Sequence, residues 1–245
     1  DKPTKTKRKA KKKIAGVCEH NVFTHFPKCD KCEICRDNKT HRSYCRAKTA
    51  DHKSNLPEPK NFGDMLTADH KIMGEEDESL EGDKVICVIQ DKATYWLQAY
   101  PAPKKTAEET AAAFRRFLGP DTKCKHVYTD NSKEFAKAMK ELQIDRDTST
   151  PHRSETNGIA ENAVKRVKEG TSCILSQSGL ASEWWSHALA CYCWLRVTTD
   201  TLSCASTSYE LRFGKPFGGP KIPFGAAIKY QPSSQKDKAR LHQLT

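Results

Sequence analysis

The sequence lacks the features of a membrane or secreted protein. No apolar run approaches the ~18 residues that a membrane-spanning helix requires, and the N-terminus has no apolar core of a secretory signal. Internal repeats are missing as well, and the hydrophobic fraction is a modest 36%. We therefore expect no membrane partner. At 245 residues the chain is long enough to bury one domain-sized core beside a small module.

Acidic residues are almost missing from the first 13 residues, which carry eight Lys or Arg against a single Asp. Seven of the eleven net positive charges therefore lie in this run, and such a block repels itself and stays disordered. We interpret residues 1–16 as a basic arm that contacts nucleic acid, signals nuclear import or simply solubilises the chain. Because the chain begins at Asp1 rather than Met, we expect a piece of a longer polyprotein.

The eleven cysteines are unevenly spread, and five of them lie within 28 residues: Cys18, Cys29, Cys32, Cys35 and Cys45. Without a secretion signal, this clustering favours metal binding over disulfides. The spacings His20-x4-His25 and Cys32-x2-Cys35 suit zinc, which takes four nitrogen or sulfur ligands in a tetrahedron. Residues 17–50 are therefore a predicted zinc module, with reduced cysteines that bind no metal as the alternative.

A polar connector at 51–61 separates this cluster from a folded α/β domain expected over 62–219, which a tail at 220–245 follows. The domain pattern predicts strands at "DMLTADH", "KVICVIQ" and "ATYWLQAY", a capped helix at "TAEETAAAFRRFLGP", a strand at "KHVYTD" and a helix bearing Phe135 and Met139. A short strand then leads to an Asn157-Gly158 turn, a long helix and a further helix over about 182–196. This order of elements is that of a ribonuclease-H-like fold.

Carboxylates stand where metal-dependent phosphodiester chemistry needs them. Such enzymes bring about three carboxylates to two divalent ions, which clamp the attacking and leaving oxygens, and Mg²⁺ prefers oxygen ligands. Asp69 closes the first predicted strand and Asp130 the fourth, and these strands are neighbours in a ribonuclease-H-like sheet. Glu161 lies in the first turns of the long helix.

Each carboxylate also has an ordinary interpretation. An aspartate at a strand end commonly forms a turn, and Glu161 suits a helix N-terminus and could pair with Lys165 at i,i+4. Asp91 is a rival for the first position, but it lies between two strands and is expected to form a hairpin turn. Asp64 lies at the start of its strand and would be at the wrong end.

Two stretches carry a resemblance to a known family. "VYTDNSKEF" resembles the "TDNGxEF" box of retroviral and retrotransposon integrases, and "TPHRSETNGIAEN" resembles their "PYxPQxNGxxER" box. "WWSHALACYCWLRVTTD" and "SYELRFGKPF" are similar to the stretch that follows the catalytic core in copia-type members, so the match runs over most of residues 18–230. Ser132 and Asn162 stand where the family commonly has Gly and Arg, and the interval before Glu161 is shorter than is typical.

The resemblance implies site residues. It assigns Asp69, Asp130 and Glu161 to catalysis and to Mg²⁺ or Mn²⁺. It implies that Lys165 and Lys168 contact DNA phosphates, with Asn131, His152 and Asn157 positioning loops or phosphates nearby. The Cys/His cluster resembles the His-His-Cys-Cys zinc module that precedes integrase cores. Since six residues between His25 and Cys32 are few for that family, Cys29, Cys18, His41 and Cys45 stay open as alternative ligands.

The expected function is that of a retrotransposon integrase, which trims the element's DNA ends and joins them to host DNA. The resemblance further implies DNA as partner, self-association, and action in the nucleus as part of a retroelement complex. Two alternatives are open: a catalytically silent, element-derived DNA- or chromatin-binding protein, and a two-metal nuclease that cuts without joining.

Overall fold

The structure is a computed structural model, and it describes residues 20–39, 58–148 and 154–229, without the side chains of residues 154–157. The predicted basic arm, most of the predicted connector and the end of the predicted tail lie outside these ranges. The elements in chain order are α1 Glu33–Asn38, β1 Leu66–Ile72, β2 Val85–Asp91, β3 Leu97–Ala102, α2 Ala107–Leu118, β4 His126–Thr129, α3 Lys133–Leu142, β5 Asp145–Thr148, α4 Ser154–Ser178, α5 Trp185–Thr199 and α6 Ser208–Phe213.

The five strands form one mixed sheet in the order β3-β2-β1-β4-β5. Strand β1 is antiparallel to β2 and β2 to β3, whereas β1, β4 and β5 run parallel to one another. Antiparallel neighbours can follow each other through short turns, while parallel strands need crossover connections, which here contain α2 and α3. The predicted ribonuclease-H-like, mixed five-stranded α/β sheet flanked by helices is confirmed.

Helices cover both faces of the sheet. Helices α2 and α3 pack on one face, where Phe114, Phe117 and Phe135 are buried against Leu66 and Val127 of β1 and β4. Helices α4 and α5 pack on the other face against the alternate residues of β2 and β3. Because both faces of β2 are covered, all seven of its residues are buried, as its continuous apolar run predicted.

Strand β3 begins later than predicted, because the hairpin before it is wider. Asp91 ends β2 and accepts hydrogen bonds from the backbone N–H and the hydroxyl of Thr94, at 2.7 and 2.8 Å. Tyr95 then adopts a positive φ of 58°, which turns the chain before Leu97 joins the ladder. Asp91 is therefore the hairpin residue that the sequence predicted.

Helix α4 begins earlier than predicted. It starts at Ser154, so Asn157 and Gly158 lie in its first turns and do not form a turn ahead of it. An Asn-Gly pair favours a turn in isolation. A glycine inside a helix costs only about 1 kcal/mol relative to alanine, which is small beside the burial of the apolar stripe that α4 lays on the sheet.

The C-terminal helices complete this layer. A 3₁₀ turn at Ser182–Trp184 leads into α5, which runs three residues beyond its predicted end. In α6 the side chain of Thr207 accepts from the backbone N–H of Glu210, whose carboxylate accepts from Thr207 in return. Within the described ranges, no helix combines the length and the apolar character that crossing a bilayer requires.

Candidate active site and metal centres

Asp69 and Asp130 lie at equivalent positions of adjacent parallel strands. The β1–β4 register pairs Thr67 with Tyr128, and each aspartate follows its paired residue by two positions. Asp130 comes directly after β4, as predicted. Asp69 does not close β1, because the strand continues to Ile72 through its pairing with β2. The two carboxylates therefore stand where β4 leaves β1 and the sheet opens.

The environment of Asp69 disfavours its charge. The pKa of Asp69 is raised to about 6, chiefly by burial and also by the negative charges of Asp130 and Glu161, against the N–H of His70 and the positive charge of Lys105. The N–H of His70 donates to the Oδ1 of Asp69 at 2.8 Å. The structure thus brings Asp130 and Glu161 close enough to Asp69 for their charges to act on it, and a cation among these carboxylates would relieve the repulsion.

Asp130 is held at the start of α3. Its Oδ1 accepts the backbone N–H of Ser132 at 3.1 Å, and its backbone oxygen accepts from Arg146 at 3.1 Å. These contacts fix the loop between β4 and α3, so the substitution of Ser132 for the family's glycine leaves the aspartate anchored. The side chain of Asn131 is exposed beside it.

Glu161 lies on α4, which crosses the sheet face toward which Asp69 points. The neighbours Ala160 and Ala163 are buried against the sheet, whereas Glu161 is exposed. Asp69 belongs to this face because the adjacent His70 points the other way, where it stacks on Phe135. The helix therefore presents Glu161 to solvent at the edge where the aspartates lie.

The structure describes some of the residues predicted to contact DNA fully, one only in its backbone, and one not at all. Lys165 and Lys168 are exposed on α4, and the Nζ of Lys165 lies 3.9 Å from the Oε1 of Glu169. Asn157 contributes only its backbone to the description, and His152 lies outside the described residues. Their contacts with DNA stay predictions.

Two lysines near the carboxylates were missed from the sequence. Lys71 shares the strand face of Asp69 and lines one groove with Lys168. Lys105, which follows β3, acts electrostatically on Asp69. The signal for Lys71 was the alternation of side chains along β1. The signal for Lys105 was topological: β3 is antiparallel to β2 and β2 to β1, so the chain after β3 emerges at the edge that carries Asp69.

Asp64, the other aspartate considered for the first carboxylate position, has a structural role. Asp64 accepts the backbone N–H groups of Lys60 and Asn61, and its Oδ1 lies 2.7 Å from the Nζ of Lys125. These partners hold the pKa of Asp64 at about 2, with the hydrogen bond from Lys125 as the main cause. Asp64 therefore ties the chain entry to β1 at the opposite end of the strand from Asp69.

A second candidate metal centre lies near the N-terminus. Among the described residues, one group of three or more His, Cys, Asp or Glu side chains has its ligand atoms gathered as around a single ion: His20, His25, Cys32 and Cys35, within 4.8 Å of one another. Cys32 precedes α1 and Cys35 lies in its first turn. His25 adopts a positive φ of 54°, which turns the short segment back toward the cysteines.

The nitrogen–sulfur spacing of this group fits zinc. The Nδ1 of His25 lies 3.6 Å from both sulfurs and 2.9 Å from the Nε2 of His20. Ideal Zn–S and Zn–N bonds at tetrahedral angles would separate nitrogen and sulfur by about 3.6 Å. Cys29 is not in the group, although its N–H donates to the thiol of Cys35, and Cys18, His41 and Cys45 lie outside the described residues.

No family model matches the chain. Two curated relatives match part of the chain. The retrovirus-related Pol polyprotein from transposon RE2 of Arabidopsis thaliana is 27% identical over 158 residues, which is 61% of this chain. That from transposon RE1 of the same plant is 26% identical over 166 residues, or 62% of the chain. The chain spans 11% of the length of each.

Among solved structures, one similar chain comes from the simian T-cell lymphotropic virus intasome in complex with the PP2A regulatory subunit B56 gamma. It has a TM-score of 0.52 and 19% identity, and the match covers 83% of this chain and 69% of that chain. At this identity the likeness shows a shared fold. The relatives and the fold agree with the resemblance in the sequence motifs.

Proposed function

We propose that this chain, which resembles retroelement integrases in its motifs, its relatives and its fold, is the integrase of a retrotransposon. It would be a metal-dependent polynucleotidyl transferase that trims the element's DNA ends and joins them to host DNA. One observation carries the proposal: Asp69 and Asp130 occupy equivalent positions of adjacent parallel strands, and Glu161 lies near enough that its charge acts on Asp69.

The carboxylates suit Mg²⁺ or Mn²⁺, since these hard cations prefer oxygen ligands. Bound there, a pair of such ions would activate water or a DNA 3′-hydroxyl and stabilise the leaving oxygen. Asp69 and Asp130 would hold their positions through the N–H groups of His70 and Ser132. Glu161 would approach from the exposed side of α4, where the substrate also enters.

The lysines supply the complement to a phosphate backbone. Lys71 on β1 and Lys168 on α4 line one groove, and Lys165 is exposed on the same helix, so these lysines would border the carboxylates with positive charge. Lysines bind phosphates through charge and counterion release, independent of base sequence. Asn131, Asn157 and His152 would position the adjoining loops, and the basic arm would add contacts to DNA or direct nuclear import.

The His20, His25, Cys32 and Cys35 group would hold one Zn²⁺ with a structural role. Four protein ligands close the coordination sphere, which is the pattern of structural zinc sites. Since the similar solved chain belongs to an intasome, we also propose that the protein self-associates on DNA.

The products formed from a labelled duplex that mimics an element end, incubated with Mn²⁺, test the function. Joined products are expected, together with shortened ends, and Asp130→Asn should abolish both while DNA retention persists. Shortened products alone would assign a nuclease. DNA retention without any product, unchanged by Asp130→Asn, would overturn the enzymatic proposal in favour of a silent DNA-binding protein.

A further inference from the structure

Residues 20–35, which carry the four proposed zinc ligands and are called the ligand-bearing segment below, bind to the C-terminal end of α5. Asp200, which caps α5, is 4% exposed and accepts hydrogen bonds from Asn21 and Thr24 at 2.8 and 2.5 Å. Asn21 also donates to the hydroxyl of Thr199 at 2.6 Å. A buried carboxylate needs such donors, because an unmade hydrogen bond to a buried charge is costly.

The same carboxylate belongs to the core. Arg196, one turn earlier on α5, donates from Nη1 to the second oxygen of Asp200 at 2.9 Å, and its guanidinium lies 5.1 Å from the ring centroid of Phe26. Both members of this ion pair are more than nine-tenths buried. The ligand-bearing segment therefore completes the hydrogen bonding and the burial of an ion pair that the core contains.

Helix α4 reaches one of the proposed zinc ligands directly. The Nδ1 of His25 faces both sulfurs and His20, so this nitrogen is the metal-facing one. The proton then resides on Nε2, which lies 3.2 Å from the Oε1 of Gln177. A ligating histidine commonly donates its other N–H to an acceptor that fixes the ring and its tautomer. Here the acceptor lies 152 residues away on α4.

Helix α1, which carries Cys35, packs on the same stretch of α4. Cys35 is fully buried, and Asn38 of α1 lies 3.3 Å from the hydroxyl of Ser176. The cysteine ligands and the histidine ligand are thus braced against one helix, and that helix also carries Glu161.

We propose that Gln177 is a positioning residue for the zinc site, and that zinc binding and docking of the ligand-bearing segment on α4 and α5 are one coupled event. The inference rests on the zinc site proposed above. Coupling is reciprocal: what docking adds to zinc affinity, zinc adds to docking. Zinc therefore stabilises the core as well as its own module.

The test measures zinc affinity of the full chain by competition with a chelator. Gln177→Met, which keeps the length of the side chain but removes the acceptor, should weaken zinc binding by about tenfold or more. Gln177→Glu, which restores an acceptor, should bind zinc at least as tightly as the wild type. Thr24→Val removes the hydroxyl that donates a hydrogen bond to Asp200 and keeps the shape of the side chain. This variant should weaken zinc binding at least about threefold. Lys140→Ala on the opposite face of the sheet serves as the control.

Two further readouts separate positioning from general damage. Co²⁺ in place of zinc should give the visible spectrum of a tetrahedral site, altered by Gln177→Met and recovered by Gln177→Glu. All four tryptophans lie at position 96 or beyond, so their fluorescence follows unfolding of the core. Chelation of zinc should lower the unfolding temperature of the core, and by a smaller amount in Thr24→Val.

Wild-type zinc affinity in both Gln177→Met and Thr24→Val, with about one zinc per chain, would overturn the coupling and leave the zinc site standing. A wild-type chain that binds neither zinc nor Co²⁺ would overturn the zinc site itself and the coupling with it.

Discussion

Asp69 and Asp130 occupy equivalent positions on two parallel strands that stop pairing two residues before them. Paired neighbouring strands lie about 4.8 Å apart, so the aspartates stand close together at the opening of the sheet. With Glu161 nearby, three negative charges share a partly buried edge. Such an arrangement is costly for the metal-free fold and suited to binding cations.

The first prediction concerns this cost. Because burial and the neighbouring carboxylates raise the pKa of Asp69 to about 6, its charged form destabilises the fold above pH 6, and the penalty disappears below its ordinary pKa near 4. Asp69→Asn should therefore stabilise the metal-free protein at pH 7.5 by about 1 kcal/mol, after allowance for partial exposure, and by nothing at pH 4. Urea unfolding in the presence of EDTA measures the free energy of unfolding of both proteins at each pH. Asp121→Asn is the exposed control, and a less stable Asp69→Asn at pH 7.5 would refute the prediction.

A second prediction concerns acid stability. Burial, with the positive charge of Lys105, lowers the pKa of His70 to about 4, against the charges of Asp130 and Glu134. The unfolded chain binds this proton below about pH 6.5 and the folded chain does not, so stability falls as the pH drops from 6.5 towards 4. Between pH 7.5 and 4.5 the wild type should lose about 2 kcal/mol more than His70→Phe.

The replacement is chosen because phenylalanine keeps the stacking on Phe135, and the hydroxyl of Thr110 still donates to the backbone of Thr106. Comparison of each protein with itself at two pH values cancels constant differences in stability. Equal losses in both proteins would contradict the assignment of a neutral, half-buried His70.

A third prediction tests the crossing of α4 and α5. A Cβ added at Gly170 would lie 2.0 Å from ring atoms of Tyr192, which is 1% exposed. Gly170→Ala should destabilise the protein by about 1–3 kcal/mol through overpacking, despite the better helix propensity of alanine. Gly158→Ala on the same helix meets nothing within 4 Å and should be neutral or stabilising by up to about 1 kcal/mol. Denaturant unfolding measures the free energy of unfolding of both variants. Equal values for Gly170→Ala and Gly158→Ala would refute the close packing of Gly170 against Tyr192.

A fourth prediction separates the cysteines. Cys29 accepts a hydrogen bond from the backbone N–H of Cys32 at 3.2 Å through its own backbone carbonyl, while the proposed ligand set contains Cys32 and Cys35. Cys29→Ser should keep about one zinc per chain after dialysis, and Cys32→Ser or Cys35→Ser should lose it. Loss of zinc from Cys29→Ser alone would move the ligand assignment to Cys29.

Local patterns predicted the elements that local forces determine. The apolar run of β2 and the capped helix α2 appear in the structure, where Thr106 accepts from the N–H of Glu109. The predicted resemblance to retroelement integrases is confirmed by the transposon relatives and the shared fold. The grouping of the two His and two Cys residues also follows the sequence spacing.

The features that the sequence analysis predicted wrongly or did not predict arise from tertiary contacts. Asn157 and Gly158 favour a turn locally, yet packing of α4 draws them into the helix. β1 extends past Asp69 because β2 supplies partners there. The contact of Thr24 with Asp200 joins residues 176 positions apart, and such a pair leaves no periodic trace in the sequence.

Strand transfer by three single variants, assayed with Mn²⁺ at equal DNA occupancy, tests the central claim most directly. If Asp69, Asp130 and Glu161 form one metal site, Asp69→Asn, Asp130→Asn and Glu161→Gln should each reduce the rate by at least about 100-fold, since such a site supplies several kcal/mol of transition-state stabilisation. Wild-type rates in any one of the three variants would contradict the account.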